Sequence, residues 1–126
     1  MEFLDWARTE HKHVSLVTSS NRRIQTHITN AFGISTLFDT IVTGNDIREG
    51  KPSPEPYLTA LGRLSLRGTK SSVVIEGSKS GVLSGLTAGC DVLAITTSHT
   101  HAELQTVNPT FIAATYALAR LMLQTG

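Results

Sequence analysis

The sequence predicts an α/β protein with a mostly parallel sheet and helices on both faces. Three observations carry that prediction. Short β-branched runs recur along the chain as VSLVT (14–18), FDTIVTG (38–44), SSVVIEGS (71–78) and DVLAITT (91–97). Stretches of helical periodicity, opened by cap residues and closed by glycine, separate these runs. The alternation has the spacing of βα units, in which crossover helices join parallel strands.

The elements follow in order. Residues 2–11, EFLDWARTEH, place Phe3, Leu4 and Ala7 at helical spacing, and Trp6 is expected in the core. VSLVT reads as a strand that stops at a polar cluster. SSNRRIQTHITNAFG has caps at its start and Gly33 past its end, which predicts a helix over about 21–32. FDTIVTG is the next strand. Ser53 and Pro54 offer a capping hydroxyl and a first-turn proline ahead of a helix that runs to about 64. SSVVIEGS is a buried-looking strand ending in Glu-Gly-Ser, and SGVLSGLTAG is a helix of small residues ending at Gly89. DVLAITT is another strand. TFIAATYALARLMLQ closes the chain with a short edge strand and a helix.

Composition bounds the function. The 126 residues suit one domain over 1–126, burying roughly two-thirds of the surface exposed in the unfolded chain. Eleven basic residues against ten acidic ones give a formal charge of +1. The basic residues do not cluster, so no nucleic-acid or anionic-membrane footprint is expected. The lone Cys90 excludes an internal disulfide and fits a reducing, cytoplasmic compartment. No apolar run approaches the roughly 20 residues of a membrane helix. No internal repeat is found.

In sheets of this kind, ligands bind beyond the carboxyl ends of the strands. Three such ends carry chemistry. Thr18, Ser19 and Ser20 offer hydroxyls and backbone N–H groups at a helix start, which makes either a plain cap or an anion site. Lys51 opens KPSPEP (51–56), whose prolines restrict the backbone and are expected to hold the lysine's own extended. Its ammonium is either solvated or aimed at a phosphate oxygen. The PxPxP spacing does not suit an SH3-type module. Glu76 ends the apolar run Val73–Val74–Ile75. A carboxylate there is expected to pair with a lysine or to hold Mg²⁺.

In their order along the chain, VSLVTSSN, FDTIVTGNDIREGKPSPEPYLTAL and SSVVIEGSKSGVLSGLTAGCDVLAITT resemble the haloacid dehalogenase-like (HAD) phosphohydrolases. The likeness is to the β-phosphoglucomutase-like and sugar-phosphate phosphatase branch, over residues 2 to about 122. It implies a HAD-like Rossmannoid core and an ancestral Mg²⁺-dependent hydrolysis of a small phosphorylated metabolite, a sugar phosphate. It also implies that Thr18 is the second-motif hydroxyl, with Ser19 offering its N–H to phosphate. Lys51 is then the third-motif lysine, and Glu76 with Gly77 occupies the acidic fourth motif.

The chain departs from that pattern twice. The family's nucleophile lies in an Asp-x-Asp-x-Thr motif, and the 126 residues contain none. Asp5, Ala7 and Thr9 have the interval but a helical phase, and alanine stands for the second acid. The expectation is a core truncated at its N-terminus, without the strand that bears the nucleophile and without a cap domain. Gly77 stands where the family has a second acid, so Glu76 alone predicts weak Mg²⁺ binding at best.

In the family's sheet the strand of the nucleophile separates the 14–18 and 71–78 strands. Leaving its slot empty would strand buried backbone groups at about 1–3 kcal/mol each. A net stability of roughly 5–15 kcal/mol does not carry that loss. Either those two strands pair directly, or a second copy or another chain completes the sheet.

Three functions remain open. The chain is a phosphate-binding homologue inactive on its own, an enzyme fragment that needs a second chain for its nucleophile, or an interaction module with a vestigial anion site. Elsewhere, His99 and His101 are expected in a surface loop; His11, His13 and His27 read as solvated and Cys90 as a buried, inert thiol.

Overall fold

The computed structural model describes residues 2–10, 13–64 and 72–125. The fold is α/β, as the strand–helix alternation predicts, and every strand pair in it is parallel. Two compact units are formed, one from residues 1–50 and 55–67, the other from 51–54 and 68–126.

The first unit begins with α1 (Glu2–Glu10), which buries Trp6 and Ala7. The Trp6 ring packs 5.5 Å from Phe3, centroid to centroid. Asp5 is exposed on this helix, so the Asp5–Thr9 interval is helical as its phase indicates. Strand β1 (Ser15–Val17) leads into α2 (Arg22–Phe32), and β2 (Thr40–Val42) pairs with β1 in the register Leu16 to Ile41. Asn21 caps α2 by accepting the Ile24 N–H at 2.9 Å. Gly33 ends the helix at φ 65°, a left-handed conformation that glycine adopts without steric cost. Short 3₁₀ turns at Ser35–Leu37 and Gly44–Asp46 flank β2. The unit closes with α3 (Glu55–Arg63), which lies on both strands and buries Pro56, Tyr57 and Ala60.

Two aspartates pin this unit. Asp39 accepts from the Arg8 guanidinium at 2.5 Å and from the Val14 N–H at 2.8 Å, and both bonds hold its carboxyl below the usual range. Asp46 caps the second 3₁₀ turn by accepting the Thr43 N–H at 2.8 Å and the Thr43 hydroxyl at 2.9 Å. It also pairs with Arg22 of α2 and with Arg63 of α3, the latter at 3.3 Å. The Thr43 N–H leads the lowering of its pKa.

The second unit contains β3 (Val73–Glu76), α4 (Lys79–Thr87), β4 (Asp91–Ile95), α5 (His101–Gln105), β5 (Phe111–Ala113) and α6 (Tyr116–Thr125). Its sheet order is β3-β4-β5. Successive strand residues point to opposite faces. Val92, Leu93, Ala94 and Ile95 are all buried, so both faces of β4 are covered. Helix α4 packs on β3 and β4, and α6 on β4 and β5. The small residues of α4 have a reason: a Cβ on Gly85 would stand 2.7 Å from Val92 Cγ2 and 3.0 Å from Val74 Cγ1. Larger residues there would hold the helix off its sheet.

Two expectations are corrected. Helix α5 occupies part of the stretch read as loop; Thr100 and Glu103 form a capping box that starts it, so His101 is helical. Residues 51–54 form a turn with a cis Lys51–Pro52 peptide, not an extended segment. Among the described residues, β1 is hydrogen-bonded to β2 and β3 to β4. His11 and the start of the 71–78 run lie outside the described residues.

Candidate functional site

Lys51 and Glu76, singled out separately from sequence, meet in the second unit. The Lys51 ammonium lies 2.5 Å from Glu76 Oε2, with side chains 12% and 10% exposed. The pairing explains how Glu76 is accommodated at the end of an apolar strand: a nearly buried carboxylate needs a counter-charge or hydrogen bonds. The lysine that pairs with Glu76 is the other candidate residue.

Local chemistry builds this pair. Glu76 is the last residue of β3, and Ser78 caps α4 by accepting the Gly81 N–H at 3.0 Å. The Glu76 carboxylate therefore sits over the first turn of α4, where the positive end of the helix dipole favours an anion. It lies against Gly81, and a Cβ at that position would overlap it. On the lysine side, Ser84 of α4 donates its hydroxyl to the Ser53 carbonyl at 2.6 Å and ties down the turn that carries Lys51. Gly81 and Ser84 escaped the sequence reading as site residues, although the helix of small residues was its visible signal.

Gly77 follows Glu76. The ideal Cβ at this position stands 3.5 Å from the Thr97 hydroxyl, which is ordinary contact. His99 is half-buried, and its Nδ1 lies 3.0 Å from the Gly77 carbonyl, so it belongs to this turn and not to an open loop. Cys90 is buried; burial, then the Asp91 charge, pushes its thiol up, as suits an inert cysteine.

Thr18 and Ser19 belong to the first unit. Thr18 Oγ1 accepts the Ser20 N–H at 3.1 Å, and as an acceptor there the hydroxyl keeps its proton to donate. Ser19 is exposed. The turn packs against the one after β2: Gly44 donates its N–H to the Ser20 carbonyl at 2.8 Å, and its ideal Cβ would stand 2.7 Å from the Ser19 carbonyl oxygen. Glycine is required by that approach. His13 and His27 are exposed.

The described residues gather no ready-made cluster for Mg²⁺. Among the described residues no three His, Cys, Asp or Glu side chains converge. Glu76 is engaged by an ammonium, and position 77 offers no carboxylate.

Comparison with known proteins supplies the context. The family model for haloacid dehalogenase-like hydrolases matches residues 1–95. A validoxylamine A 7'-phosphate phosphatase from Streptomyces hygroscopicus is 30% identical over 99 residues, covering 79% of this chain and 46% of that protein. A phosphorylated carbohydrates phosphatase from Thermotoga maritima is 34% identical over 90 residues, covering 71% of this chain and 41% of that protein. Among solved structures, a provisionally named β-phosphoglucomutase from Thermotoga maritima superimposes with a TM-score of 0.88 at 26% identity. That superposition covers 98% of this chain and 57% of the other. The chain thus spans about half the length of the relatives it matches. On the extent of the family match and the shared fold, this chain belongs to the haloacid dehalogenase-like hydrolases.

Proposed function

We propose that the chain carries the phosphate-holding groups of a HAD-like phosphohydrolase of small phosphorylated metabolites, sugar phosphates among them. The family likeness implies this role for the Thr18 hydroxyl, the Ser19 N–H and the Lys51 ammonium. The observation that carries the reading is the Lys51–Glu76 pair, a cation held beyond the carboxyl end of a parallel strand. The phosphatase relatives support the substrate class.

The 126-residue chain by itself is proposed to bind phosphate without turning it over. It contains no Asp-x-Asp-x-Thr segment, and loss of a covalent nucleophile costs on the order of 10⁴- to 10⁶-fold in rate. Mg²⁺, the metal that the family likeness implies, is expected to bind weakly. Calorimetric titration with orthophosphate tests the reading. Binding in the parent that is lost in Lys51→Ala supports it, whereas no binding in the parent favours an interaction module. Phosphatase turnover that disappears in Asp5→Asn would overturn the proposed inactivity.

A second reading, an enzyme fragment completed by a second copy or another chain, is favoured by one observation. Among the described residues, β3 is hydrogen-bonded to a strand on one side only. An added strand would satisfy the other edge. Sedimentation of the chain alone as a monomer would exclude the second copy.

A further inference from the structure

Gly77 sits between Glu76, which ends β3, and Ser78, which caps α4. Glycine has no side chain to anchor such a turn, and its backbone is the most permissive of any residue. Its carbonyl is nevertheless held, because His99 Nδ1 lies 3.0 Å from the oxygen. A carbonyl only accepts, so Nδ1 is the donor and carries the proton; in a neutral ring Nε2 is then bare. The bond joins the loops beyond β3 and β4, adjacent parallel strands, at the end of the sheet where such folds bind ligands.

We infer that His99 is a positioning residue whose Nδ1–H fixes the Gly77 peptide, and through it the turn that presents Glu76 to Lys51. Both flanks of Gly77 are already constrained. On one side the Glu76 carboxylate is seated against Gly81. On the other, Ser78 Oγ holds the Gly81 N–H. The Gly77 peptide is the remaining hinge, and His99 holds it from the neighbouring loop. The bond does there what a side chain at position 77 would otherwise do. The inference rests on the phosphate reading of Lys51 for its ligand readout alone.

Two measurements on the 126-residue chain test it. Imidazole ¹⁵N NMR at about pH 8.5, where an ordinary histidine is neutral, reads the tautomer of His99. The expected form is protonated at Nδ1; protonation at Nε2 overturns the inference. The second measurement compares His99→Ala with His99→Asn, whose Nδ2 stands where the histidine Nδ1 does. The alanine variant is expected to weaken orthophosphate binding about three- to tenfold, as for the loss of one hydrogen bond. It is also expected to speed hydrogen exchange at the Gly81 amide. Asparagine is expected to restore both, and equal behaviour of the two variants overturns the inference. If the parent binds no orthophosphate, the phosphate reading fails by itself, while the tautomer and the Gly81 exchange still judge His99. The tautomer is read on the parent, so a variant that fails to fold leaves that test standing.

Discussion

The Glu76 carboxylate occupies the space in which a side chain on Gly81 would begin. A residue at the end of a strand and one in the first helical turn after it are thus matched in size. The match lets a nearly buried carboxylate lie over the start of α4 while it receives the Lys51 ammonium.

Gly81→Ala is therefore expected to displace the carboxylate. Overpacking of this kind costs about 1–3 kcal/mol, and the Lys51 pairing should weaken with it. Urea unfolding measures the first effect and orthophosphate titration the second. An unchanged midpoint would show that the turn absorbs a methyl group.

Breaking the ion pair from one side should cost more than removing it. Glu76→Gln or Lys51→Met leaves a nearly buried charge with weakened compensation, a loss of about 3 kcal/mol in comparable pairs. The double variant Lys51→Met/Glu76→Leu should recover much of that loss, because apolar replacements of a buried pair are often neutral. Chemical denaturation of the parent, Lys51→Met, Glu76→Leu and the double variant gives the cycle; additive losses would contradict the account.

Gly77→Asp is expected to fold, since the added Cβ meets only ordinary contacts at Thr97 and Ile95, with some loss of stability from the second negative charge beside Glu76. With a second carboxylate beside Glu76, Mg²⁺ should bind more tightly than in the parent. Calorimetric titration with MgCl₂ compares the two proteins. Equal affinities would count against this turn as a metal-binding position.

Stability should fall on the acid side through Asp39 and Asp46. Both folded-state pKa values are lowered, so the stability each supplies is present above the unfolded carboxyl value. It is lost as pH falls through the folded value, that is, from roughly pH 4 downward. Asp46→Asn should lower the urea midpoint at neutral pH and flatten its decline toward pH 2. A decline as steep as the parent's would assign the acid sensitivity elsewhere.

The strands and most helices were legible because each is written in consecutive residues. β-branched runs mark β1, β3 and β4, and Asn21 and Gly33 bound α2. The Thr100–Glu103 capping box of α5 is equally local, but its position after the last of the family-like strands suggests a loop. Asp39 and Asp46 were invisible for another reason. Their partners Arg8 and Arg22 lie 31 and 24 positions away, and no pattern in the chain marks such pairs.

By itself the sequence determined the α/β alternation and the residue types at the strand ends, because periodicity and capping act over a few neighbouring residues. It named Lys51 and Glu76 as candidates and left the partner of each open. Only the tertiary structure decided that they pair with each other, that Gly81 makes room for the carboxylate, and that His99 holds the Gly77 peptide. These contacts join residues far apart in the chain, and packing of the helix against its sheet brings them within reach.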